Sequence, residues 1–342
     1  MDIKQALVQI ASGNDLSLAE MQAVMGQIMT GEATQAQIGA FLMGLRMKGE
    51  CLDEITGAVK VMRQLASAVD VSGDHMVDIV GTGGDGANLF NVSTASSFVV
   101  AAGGGCVAKH GNRSVSSSSG SADVLEAAGV SLDLTTRQVA ECVREVGVGF
   151  MFAPQHHSAM RHAIGPRKEM GMRTIFNILG PMTNPAGVTR LLVGVYDDAL
   201  CRPVAEVLNR LGAEHVMVVH SRDGLDEISA AASTHVVEAN GGEITEYALS
   251  PDEVGIEPVS LDGLEVDGAL ESLDLIRDAL SGAPGDRPER ARAVVALNAG
   301  AALYVAGLQE SVKAGVAAAR HLLEMGTPWA KVEALADLTA QM

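Results

Sequence analysis

Aromatic side chains are scarce: six Phe, three Tyr and one Trp among 342 residues. A core without them is filled by Ala, Val, Leu, Ile and 16 Met, and 38 Gly let neighbouring backbones approach closely. Cysteine is equally thin. Cys51, Cys106, Cys142 and Cys201 stand far apart with no C-x-x-C pair, which argues against a disulfide framework and a zinc site and for a reducing, cytoplasmic compartment. Positive charge is short as well, with 24 Lys and Arg against 42 Asp and Glu and a net charge of −18. A nucleic-acid surface needs clustered cations to displace counterions, so nucleic acid is not an expected partner. Nowhere do 18 uncharged apolar residues follow one another, and the start, MDIKQALVQIASGNDLS, has no apolar stretch before a small-residue cleavage site. Neither a membrane span nor a secretory leader is expected. What is present, 47% hydrophobic and 19% charged residues, suits one or two globular domains and excludes wholesale disorder.

The first 67 residues read as amphipathic helices. Ser17 and Glu20 form a capping box ahead of Met21, Val24, Met25 and Ile28, with Gly31 as the stop. Thr34 opens a second helix with Ile38, Phe41, Leu42 and Leu45 on one face, and Asp53 a third carrying Ile55, Val59, Met62 and Leu65. Exposed-looking Met and Leu on these faces predict a small helical domain, a subunit interface, or both. From residue 76 short apolar runs (Met76 to Val80, Gly105 to Ala108, Val148 to Phe152, Leu191 to Val195, Val216 to Val219) alternate with helices. That pattern predicts an α/β domain with a mainly parallel sheet and helices on both faces. Asn240-Gly241-Gly242 reads as a hairpin turn adding one antiparallel edge, and two Ala-rich helices, about Arg287 to Ala306 and Glu310 to Met325, follow the linker SGAPGDRP.

Four segments carry chemistry. After the first strand comes GTGGDGANLFNVST, residues 81–94, whose glycines can turn backbone N–H groups toward an anion at a helix start. It is neither a Walker loop nor a dinucleotide G-x-G-x-x-G, and the spacing alone fits a tight strand-to-helix turn equally well; Asn91, Ser93 and Thr94 favour phosphate or metal. The second strand runs into KHGNRSVSSSSGS, residues 109–121, where Lys109 and Arg113 beside small donors suit a polyanion better than a core; a flexible linker is the rival reading. Further on, His156 and His157 read as pocket lining or as surface residues, and Arg167 or Lys168 either grips a carboxylate or belongs to a solvated basic face. Finally, Asp226 and Glu227 follow the strand HVMVVH, where hard oxygen ligands beside a phosphate would hold magnesium; alone this motif is weak.

Together GTGGDGANLFNVST, KHGNRSVSSSSGSAD, RKEMGMRTIFNILGPMTNPAG and DGLDEIS resemble the anthranilate phosphoribosyltransferases, over most of the chain. The resemblance implies a small helical domain, residues 1–70 with a returning segment about 155–187, hinged to a large α/β domain of residues 71–154 and 188–342. It implies a homodimer through the N-terminal helices, and transfer of the phosphoribosyl group of phosphoribosyl pyrophosphate (PRPP) to anthranilate. Matching positions assign PRPP to Gly81, Gly84, Asp85, Leu89, Asn91, Val92, Ser93, Thr94, Lys109, His110, Gly111, Asn112, Arg113, Ser114, Val115, Ser116, Ser117 and Ser121. Anthranilate falls to Gly81, Asn112 and Arg167, with His110 and Pro181 nearby. Two magnesium ions per monomer fall to Ser93, Asp226 and Glu227, and Lys109 and Arg167 carry the catalytic roles. Two departures stand out: Leu89 stands where the family often has Thr and Ser118 where it often has Lys, which predicts one hydroxyl and one cation fewer around the phosphates. A pyrimidine nucleoside phosphorylase is the nearest alternative, and a non-catalytic relative binding nucleotide or nucleic acid the more distant one.

Overall fold

The computed structural model describes residues 1–114 and 118–342. Reciprocal capping boxes start the first three helices, Ile3–Ala11 from Asp2, Leu18–Thr30 from Ser17 and Gln35–Lys48 from Thr34, and a fourth spans Leu52–Leu65. Each box satisfies two of the amides a helix start leaves open. Gly31, at φ 81°, ends the second helix in the left-handed region as read from sequence.

Seven strands follow: β1 (Met76–Gly81), β2 (Cys106–Gly111), β3 (Val148–Phe152), β4 (Arg190–Gly194), β5 (His215–Ser221), β6 (Thr234–Asn240) and β7 (Glu243–Leu249). They form one sheet in the order β3-β2-β1-β4-β5-β6-β7. The first five are mutually parallel, and β6 and β7 run antiparallel, joined at Gly241 and Gly242, whose φ values are 57° and 90°. The order reverses between β1 and β4, which opens a crevice at the carboxyl ends of the strands.

Side chains alternate across this sheet and divide the interior in two. Leu192, Met217 and Val219 face one core with Phe98, Leu297 and Leu303, built by the helices Val92–Ala102, Asp286–Val305 and Val312–Glu324. Leu191, Val193, Val216 and Val218 face the other, where they meet Met21, Met25, Ile28, Phe41, Ile175 and Leu179. Most of the N-terminal Met and Leu that look exposed in sequence are therefore buried within this chain, beneath the sheet and beside the segment 163–182; Val8, Met43, Met47 and Leu65 stay exposed. Helices among the described residues that the hydrophobic pattern did not name include Ile3–Ala11, Ala269–Leu280 and Thr327–Thr339; the last carries the single tryptophan, Trp329, its indole Nε1 donating to Glu333 Oε1 at 2.9 Å. No helix among the described residues is long and apolar enough to cross a membrane.

Candidate active site

β1, β2 and β5 each deliver a functional loop to the crevice. The loop after β1 turns through Gly83, Gly84, Gly86 and Asn88, all at positive φ. Gly81 is required for a different reason: a Cβ there would sit 2.5 Å from Asp226 Oδ2. This close approach lets Gly83 N–H donate to Asp226 Oδ2 at 2.7 Å, so the glycine loop and the acid pair, far apart in sequence, form one structure. Burial raises Asp226 to about 7, with the Asp85 carboxylate as the next cause. Glu227 is also held well above the usual carboxylate range, by burial and then by the charge of Asp226.

Lys109, 3% exposed at the end of β2, lies beneath these acids. Its Nζ donates to Ile79 O at 2.5 Å and to Ser93 Oγ at 3.2 Å. Burial lowers its pKa, while Asp78 and Glu227 favour its charged form. Asp78 is a site residue that sequence reading missed. It lies fully buried in β1, accepts from His110 N–H at 3.3 Å and from Asn184 Nδ2 at 2.7 Å, and burial raises it to about 6. Asn184 also donates to Ala108 O at 2.9 Å, tying β1 and β2 to the returning segment.

Asn91 organises the rim: its Oδ1 accepts from Ser119 Oγ and Ser272 Oγ, both at 2.8 Å. Next along the helix start, the buried Thr94 hydroxyl has no partner among the described residues, a polar atom left available to a ligand. Val92 faces away from the crevice with its side chain. Its side chain belongs to the core and its N–H donates to Phe90 O at 2.7 Å. Leu89 bridges to Glu265 through the backbone and packs on the core. Arg113 turns outward, its guanidinium on Asp123 at 2.9 Å and Glu126 at 2.8 Å. Asp123 also accepts from the N–H groups of Ser114 and Gly120, at 3.1 and 2.9 Å. Ser121 Oγ donates to Asn112 O at 3.4 Å, and Gly111 has no room for a Cβ beside Ser121 and Phe150. Ser118 N–H donates to Asn88 Oδ1 at 3.2 Å. Val115, Ser116 and Ser117 lie outside the described residues.

The other wall comes from 155–187. His110 and His157 meet with ring centroids 5.1 Å apart, and burial keeps both neutral, His110 down to about 3 and His157 to about 4. The Nε2 atoms of His110, His156 and His157 are buried without partners among the described residues, and Pro181 is buried in the short turn Gly180–Met182. Arg167, in the last turn of the helix Arg161–Met170, is half-buried with its guanidinium 5.2 Å from the Phe176 ring centre, whereas Lys168 is exposed. A second arginine, Arg173, unnoticed in sequence, stacks 3.9 Å over Tyr196 and donates to Gly84 O.

The comparisons with known proteins match this architecture in two pieces: residues 4–66 fit the helical bundle domain and residues 73–328 the a/b domain of the glycosyl transferase family. Anthranilate phosphoribosyltransferase of Marinobacter nauticus is 63% identical over 339 residues, 99% of each chain, and that of Cellvibrio japonicus 62% identical over equal shares. The chain belongs to the anthranilate phosphoribosyltransferase family. The fold of the family is reproduced throughout: the Thermus thermophilus anthranilate phosphoribosyltransferase superposes with a TM-score of 0.92 at 41% identity, over 98% of this chain and 99% of that one. A Saccharomyces cerevisiae member of the family, solved in complex with PRPP and Mg, shares the fold with a TM-score of 0.88 at 24% identity, over 99% and 98% of the two chains.

Proposed function

We propose that the protein transfers the 5-phosphoribosyl group of PRPP to the amine of anthranilate, giving N-(5-phosphoribosyl)anthranilate and pyrophosphate, the second step from chorismate to tryptophan. The observation that carries this reading is the convergence of Lys109, Ser93, Asp226 and Glu227 with the glycine loop at one crevice, in a chain 63% identical to a member of the family. The donor set fits magnesium. Beyond burial, Asp85 raises the proton affinity of Asp226, and Asp226 and Asp85 raise that of Glu227; such a cluster is relieved by a hard divalent cation. Asp226, Glu227 and Ser93 would hold it, two ions per chain, and when bound it supplies positive charge against the departing pyrophosphate.

The chain's own residues do the rest. The bond from the anomeric carbon to the pyrophosphate oxygen breaks as the anthranilate nitrogen bonds to the same carbon, through an oxocarbenium-like state. Lys109 faces the developing negative charge, and the N–H groups of the glycine loop and the Thr94 hydroxyl supply fixed donors. Arg167 aligns the anthranilate carboxylate, and the neutral His110 and His157 line its ring without adding charge. An aromatic amine is unprotonated at neutral pH, so positioning supplies much of the rate. Residues 1–70 with 155–187 would close on 71–154 and 188–342 to exclude water, in a cytoplasmic homodimer.

Purified protein given anthranilate, PRPP and magnesium should consume the fluorescence of anthranilate only when all three are present. Phosphorolysis of a pyrimidine nucleoside without that activity would overturn the assignment.

A further inference from the structure

Sequence spacing argues against a zinc site, yet the fold brings three metal-ligating side chains together outside the set of residues assigned to the substrates. Asp198, in the short turn before the helix Cys201–Arg210, Cys201 at that helix's first position and His235 on β6 converge with one donor atom each, all within 4.8 Å of one another. The Cys201 side chain is fully buried and its thiol makes no hydrogen bond among the described residues. His235 Nδ1 lies 2.5 Å from Asp198 Oδ1, and Nε2 lies 3.0 Å from Glu246 Oε1. A carboxylate behind the ring is the arrangement that orients a metal-binding imidazole. The outer carboxylate oxygens are held separately, Asp198 Oδ2 3.5 Å from Arg222 and Glu246 Oε2 3.3 Å from Arg202. A second cluster, Asp15, Cys51 and Glu54, is by contrast already filled by a cation of the chain, with Lys48 Nζ at 2.5 Å from Asp15 and 2.9 Å from Glu54.

We propose that Asp198, Cys201 and His235 bind one zinc-type divalent cation, with Glu246 steadying His235 from behind and a fourth position left to water. Thiolate with imidazole and carboxylate selects zinc over magnesium. In a tetrahedral site with bonds of about 2.0–2.3 Å the donors stand about 3.3–3.8 Å apart, so the His235–Asp198 contact opens, and donors up to 4.8 Å apart draw in by at most about 1.5 Å. Binding releases the thiol proton and the proton shared by His235 and Asp198 to solvent. Burial, with Asp198 and Glu246 beside it, otherwise holds that thiol up at about 12.

The test is titration of the chelator-stripped full chain with Zn2+ alone, against a chromophoric chelator, followed by Co2+ substitution. One equivalent should bind, undisturbed by excess magnesium, and the cobalt form should show a thiolate-to-metal charge-transfer band in the near ultraviolet. Cys201→Ser and His235→Gln should each weaken zinc by at least about tenfold, whereas Asp226→Asn should retain it. Absence of the band, displacement by magnesium, or unchanged affinity in both variants would overturn the site. Should Cys201→Ser fail to fold, His235→Gln and the cobalt spectrum of the unaltered protein decide the matter alone.

Discussion

The role proposed for Arg167 is one that separates the two substrates. Burial opposes its charge and Phe176 stacks beneath it, so the fork is held in one plane, ready for two parallel hydrogen bonds to a carboxylate. Arg167→Ala should raise the Michaelis constant for anthranilate about ten- to hundredfold, the equivalent of about 1.5–3 kcal/mol for hydrogen bonds to a charged group. The constant for PRPP should scarcely move, since Lys109, Ser93 and the glycine loop stand on other elements. Equal effects on both constants in steady-state kinetics would place the carboxylate elsewhere. Asp226 gives a second prediction, read by pH. Its carboxyl is raised to about 7 in the folded chain, so below that pH a proton competes with magnesium, and above it the folded chain carries an unrelieved charge. Apparent magnesium affinity should therefore fall by up to about tenfold per pH unit below 7 and level off above it. The rise in melting temperature on adding magnesium should be larger at pH 8 than at pH 6. Asp226→Asn with Glu227→Gln should abolish that difference and lower turnover strongly at limiting magnesium; an unchanged magnesium titration would sink the metal assignment.

Among elements, glycines sort helix contacts from helix surface. The helices Asp286–Val305 and Val312–Glu324 touch through Gly300 and Gly315, where a Cβ on Gly300 would meet the Val316 backbone at 2.4 Å. Gly300→Ala should destabilise by about 1–3 kcal/mol through overpacking, while Gly26→Ala, in open space on the helix Leu18–Thr30, should stabilise by about 0.5–1 kcal/mol. Denaturant melts of the two variants moving in the same direction would refute this packing. Elements of this kind were legible in the sequence because their signals are local. The five parallel strands, the turn at Gly241-Gly242 and the caps at Ser17 and Thr34 all stand where apolar period and turn chemistry put them. Partnerships across the chain were not. Asn184 reaches Asp78 over 106 residues, Ser272 reaches Asn91 over 181, and Arg173 reaches Gly84 over 89, so no local pattern announces them. That the Val92 side chain turns to the core is likewise concealed by its place in a motif. The glycine and acidic loops were found separately, but only the fold shows Gly83 and Asp226 in contact.

On the scale of the whole molecule, several apolar side chains of the N-terminal helices stay exposed after both cores are filled. Met43 and Met47 lie one turn apart on the helix Gln35–Lys48, 42% and 78% exposed, with Val8 at 69% on the helix Ile3–Ala11. Homodimerisation through the N-terminal helices would cover such side chains. The proposed homodimer predicts a dimer in light scattering for the unaltered chain and a monomer for Met43→Glu with Met47→Glu; a variant that stays dimeric would move the interface to another face. Trp329 has a consequence for observing the enzyme. As the single indole it sits on the last helix, 5.4 Å from the Arg277 guanidinium, whereas the crevice is lined by imidazoles, Phe176 and Tyr196. Ultraviolet emission from the protein therefore reports the docking of one terminal helix, and anthranilate, which absorbs at longer wavelength, can be excited alone. Unfolding and turnover can be followed in the same cuvette as two separate colours.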